Sequence, residues 1–166
     1  HDFLFELARH ISITLNMRYT LITECANDEK TKLRTLCYLD GNKVLDNIEY
    51  DTAGAPCEII MKGKDFFQPK EVQINFPKEK GIESAIGVPI YSSKSGGVIG
   101  HILAVDGNAV NISAAGEKNQ IAVLKIFAAR AGGELERIKA EEKLRIANTQ
   151  LQILLNESEE RYRDLF

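Results

Sequence analysis

The sequence predicts an α+β protein in which one antiparallel sheet lies between helices. Three observations carry that reading. β-Branched and aromatic runs succeed one another with short turns between them, a helical stripe precedes the first run, and a longer one follows the last. Short turns leave antiparallel pairing, because parallel neighbours need long crossovers. The 166 residues, 44% apolar and 27% charged, describe a globular chain of one domain with room for an appendage.

The elements follow in order. Phe3, Leu4, Leu7, Ala8, Ile11 and Leu15 recur at intervals of three and four, one face of a first helix. Tyr19-Thr20-Leu21-Ile22-Thr23 reads as a strand, Asn27-Asp28-Glu29-Lys30 as a turn, and residues 33–39 as a second strand. Asp40-Gly41-Asn42 turns the chain into a third strand over 44–50. Ala53-Gly54-Ala55-Pro56 ends it, and Pro56 opens a short helix through Lys62 that Gly63 closes. Phe66, Phe67, Val72, Ile74 and Phe76 anchor an otherwise polar, irregular stretch. Residues 84–91 and 98–105 form the last strands, on either side of a Ser- and Gly-rich turn.

From Gly116 the period changes. Ile121, Leu124, Phe127, Ala128, Ala131, Leu135 and Ile138 form a helical stripe wide enough to cover a sheet face. Beyond it Leu144, Asn148, Leu151, Leu155, Ser158, Tyr162 and Leu165 alternate spacings of four and three, the seam of about three coiled-coil heptads. A seam needs a partner, and a parallel homodimer supplies one, with Asn148 fixing the register. The plain alternative is a solvated helical tail.

Composition excludes several classes. Lys and Arg total 21 against 24 Asp and Glu, a net charge of −3, which removes the bulk electrostatic case for a nucleic-acid binder. No apolar run approaches the roughly 18 residues of a membrane span. With no basic-then-apolar leader at His1, the chain reads as a cytoplasmic piece of a longer protein with reduced thiols. Cys25, Cys37 and Cys57 make no CxxC pair, and no HExxH zinc motif occurs. GxxxxGK[ST], GxGxxG and GxSxG are absent too, so no phosphate loop or nucleophile elbow is read.

Three ordered stretches resemble a GAF domain of the bacterial signalling type. Gly54-Ala55-Pro56-Cys57-Glu58 is similar to the family's entry into its pocket helix, with Ala55 where Thr is usual, which removes a capping hydroxyl. Val72-Gln73-Ile74-Asn75-Phe76-Pro77, followed by Gly81 to Ile90, is similar to its next motif, and Gly97 to Asp106 to the one after. The resemblance covers residues 1–138. Residues 157–166, ending Glu159-Glu160-Arg161-Tyr162-Arg163-Asp164-Leu165-Phe166, resemble the opening of a PAS domain, which leaves 139–156 as a linking, coiled-coil signalling helix. The resemblance implies a six-stranded antiparallel sheet between helices, a pocket on one face roofed by the irregular middle third, and a long C-terminal helix. It also implies a regulatory role in a larger parent: a sensor histidine kinase of a two-component system, a cyclic-di-nucleotide enzyme or a transcription regulator.

Candidate site residues follow from both sources. Tyr50, Phe66, Phe67, Phe76 and Ile82 are the aromatic and apolar lining expected of a small-molecule pocket, with Asp51 and Ser84 as polar contacts. Cys57, just after a helix-opening Pro, is placed where helix amides lower a thiol pKa, as a redox sensor or a haem or metal ligand requires; the alternative is a structural cysteine. Cys25 and Cys37 read as small strand hydrophobes. His101, in mid-strand, is either a pocket or axial haem ligand or a packed, hydrogen-bonded group. The functional reading is a small-molecule-sensing and dimerisation domain, not itself an enzyme, that signals through its C-terminal helix. Its seam is Leu144, Asn148, Leu151, Leu155 and Tyr162, its downstream partners are PAS and output domains, and no cofactor or metal is required. The rivals are a ligand-free dimerisation module and a thiol enzyme resembling the free methionine sulfoxide reductases.

Overall fold

The computed structural model describes residues 2–166, divided into two compact units between Gly133 and Glu134. The first unit opens with α1 (Asp2–Leu15), whose buried face is Leu4, Leu7, Ala8, Ile11 and Leu15. Asn16, at φ 52°, ends it, with Met17 N–H donating to Ser12 O and Asn16 N–H to Ile13 O. That pair of bonds satisfies carbonyls the helix leaves open.

Seven strands follow: β1 (Tyr19–Cys25), β2 (Lys32–Asp40), β3 (Lys43–Val44), β4 (Glu49–Asp51), β5 (Phe66–Gln68), β6 (Ser84–Tyr91) and β7 (Val98–Asp106). They make one antiparallel sheet in the order β3-β2-β1-β7-β6-β5, with β4 pairing β2 further along the same edge. The sheet thus has the six positions that the resemblance implies; the sixth, β5, falls in the stretch read as irregular, and the strand expected over 44–50 is broken in two. Its register does not change across the break: Leu39 faces Val44 and Arg34 faces Glu49. Asp46 and Asn47, poor strand formers, occupy the gap, where Thr35 Oγ1 donates to Asn47 Oδ1 and accepts from Ile48 N–H.

Between β4 and β5 lies α2 (Pro56–Met61), and between β5 and β6 the single turn α3 (Val72–Asn75). Ala55 caps α2 without a side-chain bond, and Glu58 instead reaches back to Gly54 N–H at 3.2 Å. Gly63 N–H donates to Ile60 O, closing the helix where expected. α2 lies directly on β6, where Gly87 leaves room for Ile60: a Cβ there would strike Ile60 and the Ile102 carbonyl. Cys57, Ile60, Met61, Phe66, Ala85, Leu103 and Val105 form the core on this face. By strand alternation Ile86, Val88, Ile90, Ile102 and Ala104, all buried, serve the opposite face. There α1 contacts β1 and β2, and α4 (Ala114–Asp164) brings Gly132 against Ile90 and the Tyr91 carbonyl. Of the middle-third anchors, Val72 is buried but Ile74 is 67% exposed, because the single turn of α3 turns it to solvent.

The second unit is the remainder of α4. Arg137 pairs with Glu134 and Glu141, and Arg145 with Glu142. Leu144, Leu151, Leu155, Tyr162 and Leu165 are exposed on it. Among the described residues no helix is long and apolar enough to cross a membrane.

Candidate functional site

The site begins with an irregularity in β1 and β2. The β1–β2 register slips between Ile22 and Thr23, leaving Leu36 without a partner in the ladder. Such a bulge reverses which residues face a given side. Leu33 belongs to the core under α2, and beyond the bulge it is Tyr38 and Asp40, of opposite parity, that line the cavity on this same face. The β1–β7 ladder also ends at Ile22. From there the Thr23 hydroxyl replaces it, accepting from His101 N–H at 3.1 Å and donating to His101 O at 3.3 Å.

His101, fully buried on β7, extends toward α2. Its Nε2 lies 2.9 Å from Cys57 Sγ and 3.5 Å from the Tyr50 hydroxyl, which is itself 3.7 Å from Cys57 Sγ. Its Nδ1 lies 3.2 Å from Thr23 Oγ1. Thr23 has one hydroxyl proton and two acceptors within reach, His101 O and Nδ1, so the ring tautomer sets whether Nδ1 or Nε2 donates and, with it, whether Cys57 Sγ accepts or donates. Burial supports the neutral form: it pushes the His101 imidazole down to about 4 and the Cys57 thiol up to about 12. The short α2 helix therefore does not activate Cys57, because desolvation outweighs the amides of one helical turn. Burial raises the Tyr50 hydroxyl as well.

Cys57 and Tyr50 form one wall of a cavity of about 660 Å³. Its floor on the sheet is Leu21, Leu103 and Val105; Tyr19, Tyr38 and Asp40 line it from β1 and β2, and the turn Lys78–Ile82, with Lys78, Glu79 and Lys80, lines it as well. Glu79, half-buried in that turn, lines the space; burial raises its carboxyl pKa.

Tyr50, Cys57, Ile82 and His101 are thus brought together, with His101 behind the wall that Cys57 forms. Phe66 and Phe76 meet edge to face at 5.7 Å in the adjoining core and are absent from the cavity lining. Phe67 faces a separate groove of about 350 Å³ beside Lys118 and Ile121. Asp51 is exposed on β4, and the buried Ser84 hydroxyl donates to Asn108 O at 2.7 Å. Thr23, Tyr38 and Glu79 belong to the site without having been singled out from sequence. The alternation Tyr19, Leu21, Thr23 was the signal for the first, but the Leu36 bulge hides the second. Cys37 is buried, and Cys25 Sγ lies 3.8 Å from Val98 O. Among the described residues no group of three or more His, Cys, Asp or Glu side chains is placed to hold a metal.

A six-position antiparallel sheet, with helices on both faces, a cavity roofed by the middle third and a long C-terminal helix, defines the GAF fold. Solved structures agree. The chain is similar to the GAF domain of an Acinetobacter phosphoenolpyruvate-protein phosphotransferase, at 10% identity over 82% of each chain with a TM-score of 0.61. The second GAF domain of DevS from Mycobacterium smegmatis matches at 13% identity over 84% of this chain and 94% of that one, TM-score 0.61. A type II free methionine-R-sulfoxide reductase from Thermoplasma acidophilum matches at 15% identity over 80% and 89%, TM-score 0.62. At such identities the likeness establishes the fold. No family model and no curated protein matches the chain.

Proposed function

We propose that the chain is a regulatory small-molecule-sensing and dimerisation domain, cytoplasmic, and joined in its parent to a PAS domain and an output module. The observation that carries this reading is the cavity of about 660 Å³, of a size for an organic ligand, whose apolar floor of Leu21, Leu103 and Val105 is flanked by tyrosines and charged side chains that give a ligand polar contacts. A sensor histidine kinase domain from Sinorhizobium meliloti shares the fold at 15% identity, which is consistent with such a parent. In this reading residues 144–165 pair with a second copy through the seam of Leu144, Asn148, Leu151, Leu155 and Tyr162. A ligand that prefers one arrangement of the cavity walls biases the geometry of the paired helices, by about 1–3 kcal/mol for ordinary coupling. Native mass spectrometry against the denatured mass tests it. A reproducible adduct on a dimer is expected, whereas a dimer that binds nothing from a metabolite library favours a module used for dimerisation alone.

A thiol enzyme is the second reading, favoured by the 2.9 Å Cys57–His101 contact and by the reductase among the structural neighbours. The neutral state of that pair opposes it, since the thiolate is the nucleophile. Reduction of free methionine sulfoxide that is lost in Cys57→Ser would establish it over the first.

A further inference from the structure

We infer that the ligand of the cavity is a small organic cation, an amine carried on an aromatic or aliphatic body, bound by the Glu79 carboxylate and the faces of Tyr19, Tyr38 and Tyr50. This rests on the sensing reading above and names its ligand class.

Charge placement comes first. The turn at residues 78–80 carries Lys, Glu and Lys, and of the three the half-buried side chain is the acidic one, while both lysines are exposed. Lys78 Nζ is directed at the Ala53 carbonyl, 3.0 Å away. Asp40, the other carboxylate lining the space, is already neutralised by Arg18, which holds it through Nε at 2.6 Å and Nη2 at 3.0 Å. Lys78 and Lys80 line the space too, but both are exposed and screened by solvent, whereas the half-buried Glu79 carboxylate is screened less and gains when a cation shares its low-dielectric space.

Aromatic chemistry points the same way. Three tyrosines on one cavity are an assembly whose ring faces attract ammonium groups. Tyr19 already carries such a contact, with the Arg18 guanidinium 4.9 Å from its ring centroid. The apolar floor of Leu21, Leu103 and Val105 takes the body of the molecule, which a bare metal ion would leave unused.

The test titrates the 166-residue chain, by calorimetry, with three probes of one shape: tryptammonium, the neutral alcohol tryptophol and the anion indolepropionate. Tryptammonium is expected to bind about tenfold tighter than tryptophol. Glu79→Gln should abolish that preference, with an unchanged circular dichroism spectrum reporting that the variant is folded. Glu79→Lys should turn the preference toward indolepropionate. Equal or tighter binding of the alcohol or the anion by the unmodified chain overturns the cation inference while leaving a ligand-sensing cavity. A preference that survives Glu79→Gln overturns the role of Glu79 and the inference with it. Failure of all three probes to bind, together with an adduct-free native mass, overturns both this inference and the sensing reading.

Discussion

Acidification should destabilise this fold through one residue. The unfolded chain protonates His101 near its ordinary value of 6.5, whereas the folded chain resists until about 4, because the ring is fully buried with its Nε2 facing a thiol. Between those values the unfolded state binds more protons, so stability falls as pH falls. At about pH 4.5 the unfolded chain is nearly saturated and the folded one about a quarter protonated, so the loss relative to about pH 7.5 is about 2.5 kcal/mol. That is a large share of the stability of a small domain. Cys57 and Tyr50, both shifted upward, stay protonated throughout this window and contribute no slope. The assay is urea unfolding across the pH range for the unmodified chain and His101→Gln, because the difference between the two curves cancels Glu79 and every other titrating group. The curves should converge on acidification, with the unmodified chain losing about 2.5 kcal/mol more than the variant. Parallel curves, or an imidazole that titrates near 6.5 by NMR, would refute the buried neutral His101.

Four further outcomes follow from the same geometry. Gly100→Ala should cost about 3 kcal/mol or more in chemical denaturation, since the added methyl would overlap the Thr23 carbonyl, which is backbone and cannot yield. Thr23→Val removes the group that serves His101 N–H, O and Nδ1 together, with an expected loss of about 1–3 kcal/mol in the same experiment. Iodoacetamide followed by peptide mass mapping should label half-buried Cys25 well before Cys57, whose thiol is buried and pushed up to about 12; early labelling at Cys57 would mean a resting thiolate. Leu151→Asp should convert a dimer to a monomer in sedimentation, because a charge buried in a seam has no partner, and should leave the melting of the first unit unchanged.

How much of this was written legibly in the sequence depends on range. Periodicity located the longer elements, because apolar spacing reports burial and burial there is local to each element, but it missed the split of the third strand and left β5 and α3, of three and four residues, inside a stretch read as irregular. Residue type and the resemblance, not periodicity, put Tyr50, Cys57 and Ile82 on one cavity; they wrongly added Phe66, Phe67, Phe76, Asp51 and Ser84 to the lining, and they marked His101 without its partners. Those partners are set by something a linear pattern does not contain. Leu36 is an ordinary strand residue by composition, yet its extra position in the ladder is what sends Tyr38 and Asp40 to the same side of the sheet as Leu33. Read with strict alternation, Tyr38 belongs with the α1 face and the cavity loses an aromatic wall.

The end of the β1–β7 ladder at Ile22 brings Thr23 to the histidine: its hydroxyl stands in for a ladder bond at His101 N–H and reaches both His101 O and Nδ1. What keeps the cysteine and the histidine 2.9 Å apart neutral is burial. Desolvation lowers the imidazole to about 4 and raises the thiol to about 12, so between those values neither carries a charge, and the two form a neutral wall of the cavity instead of an ion pair ready for attack.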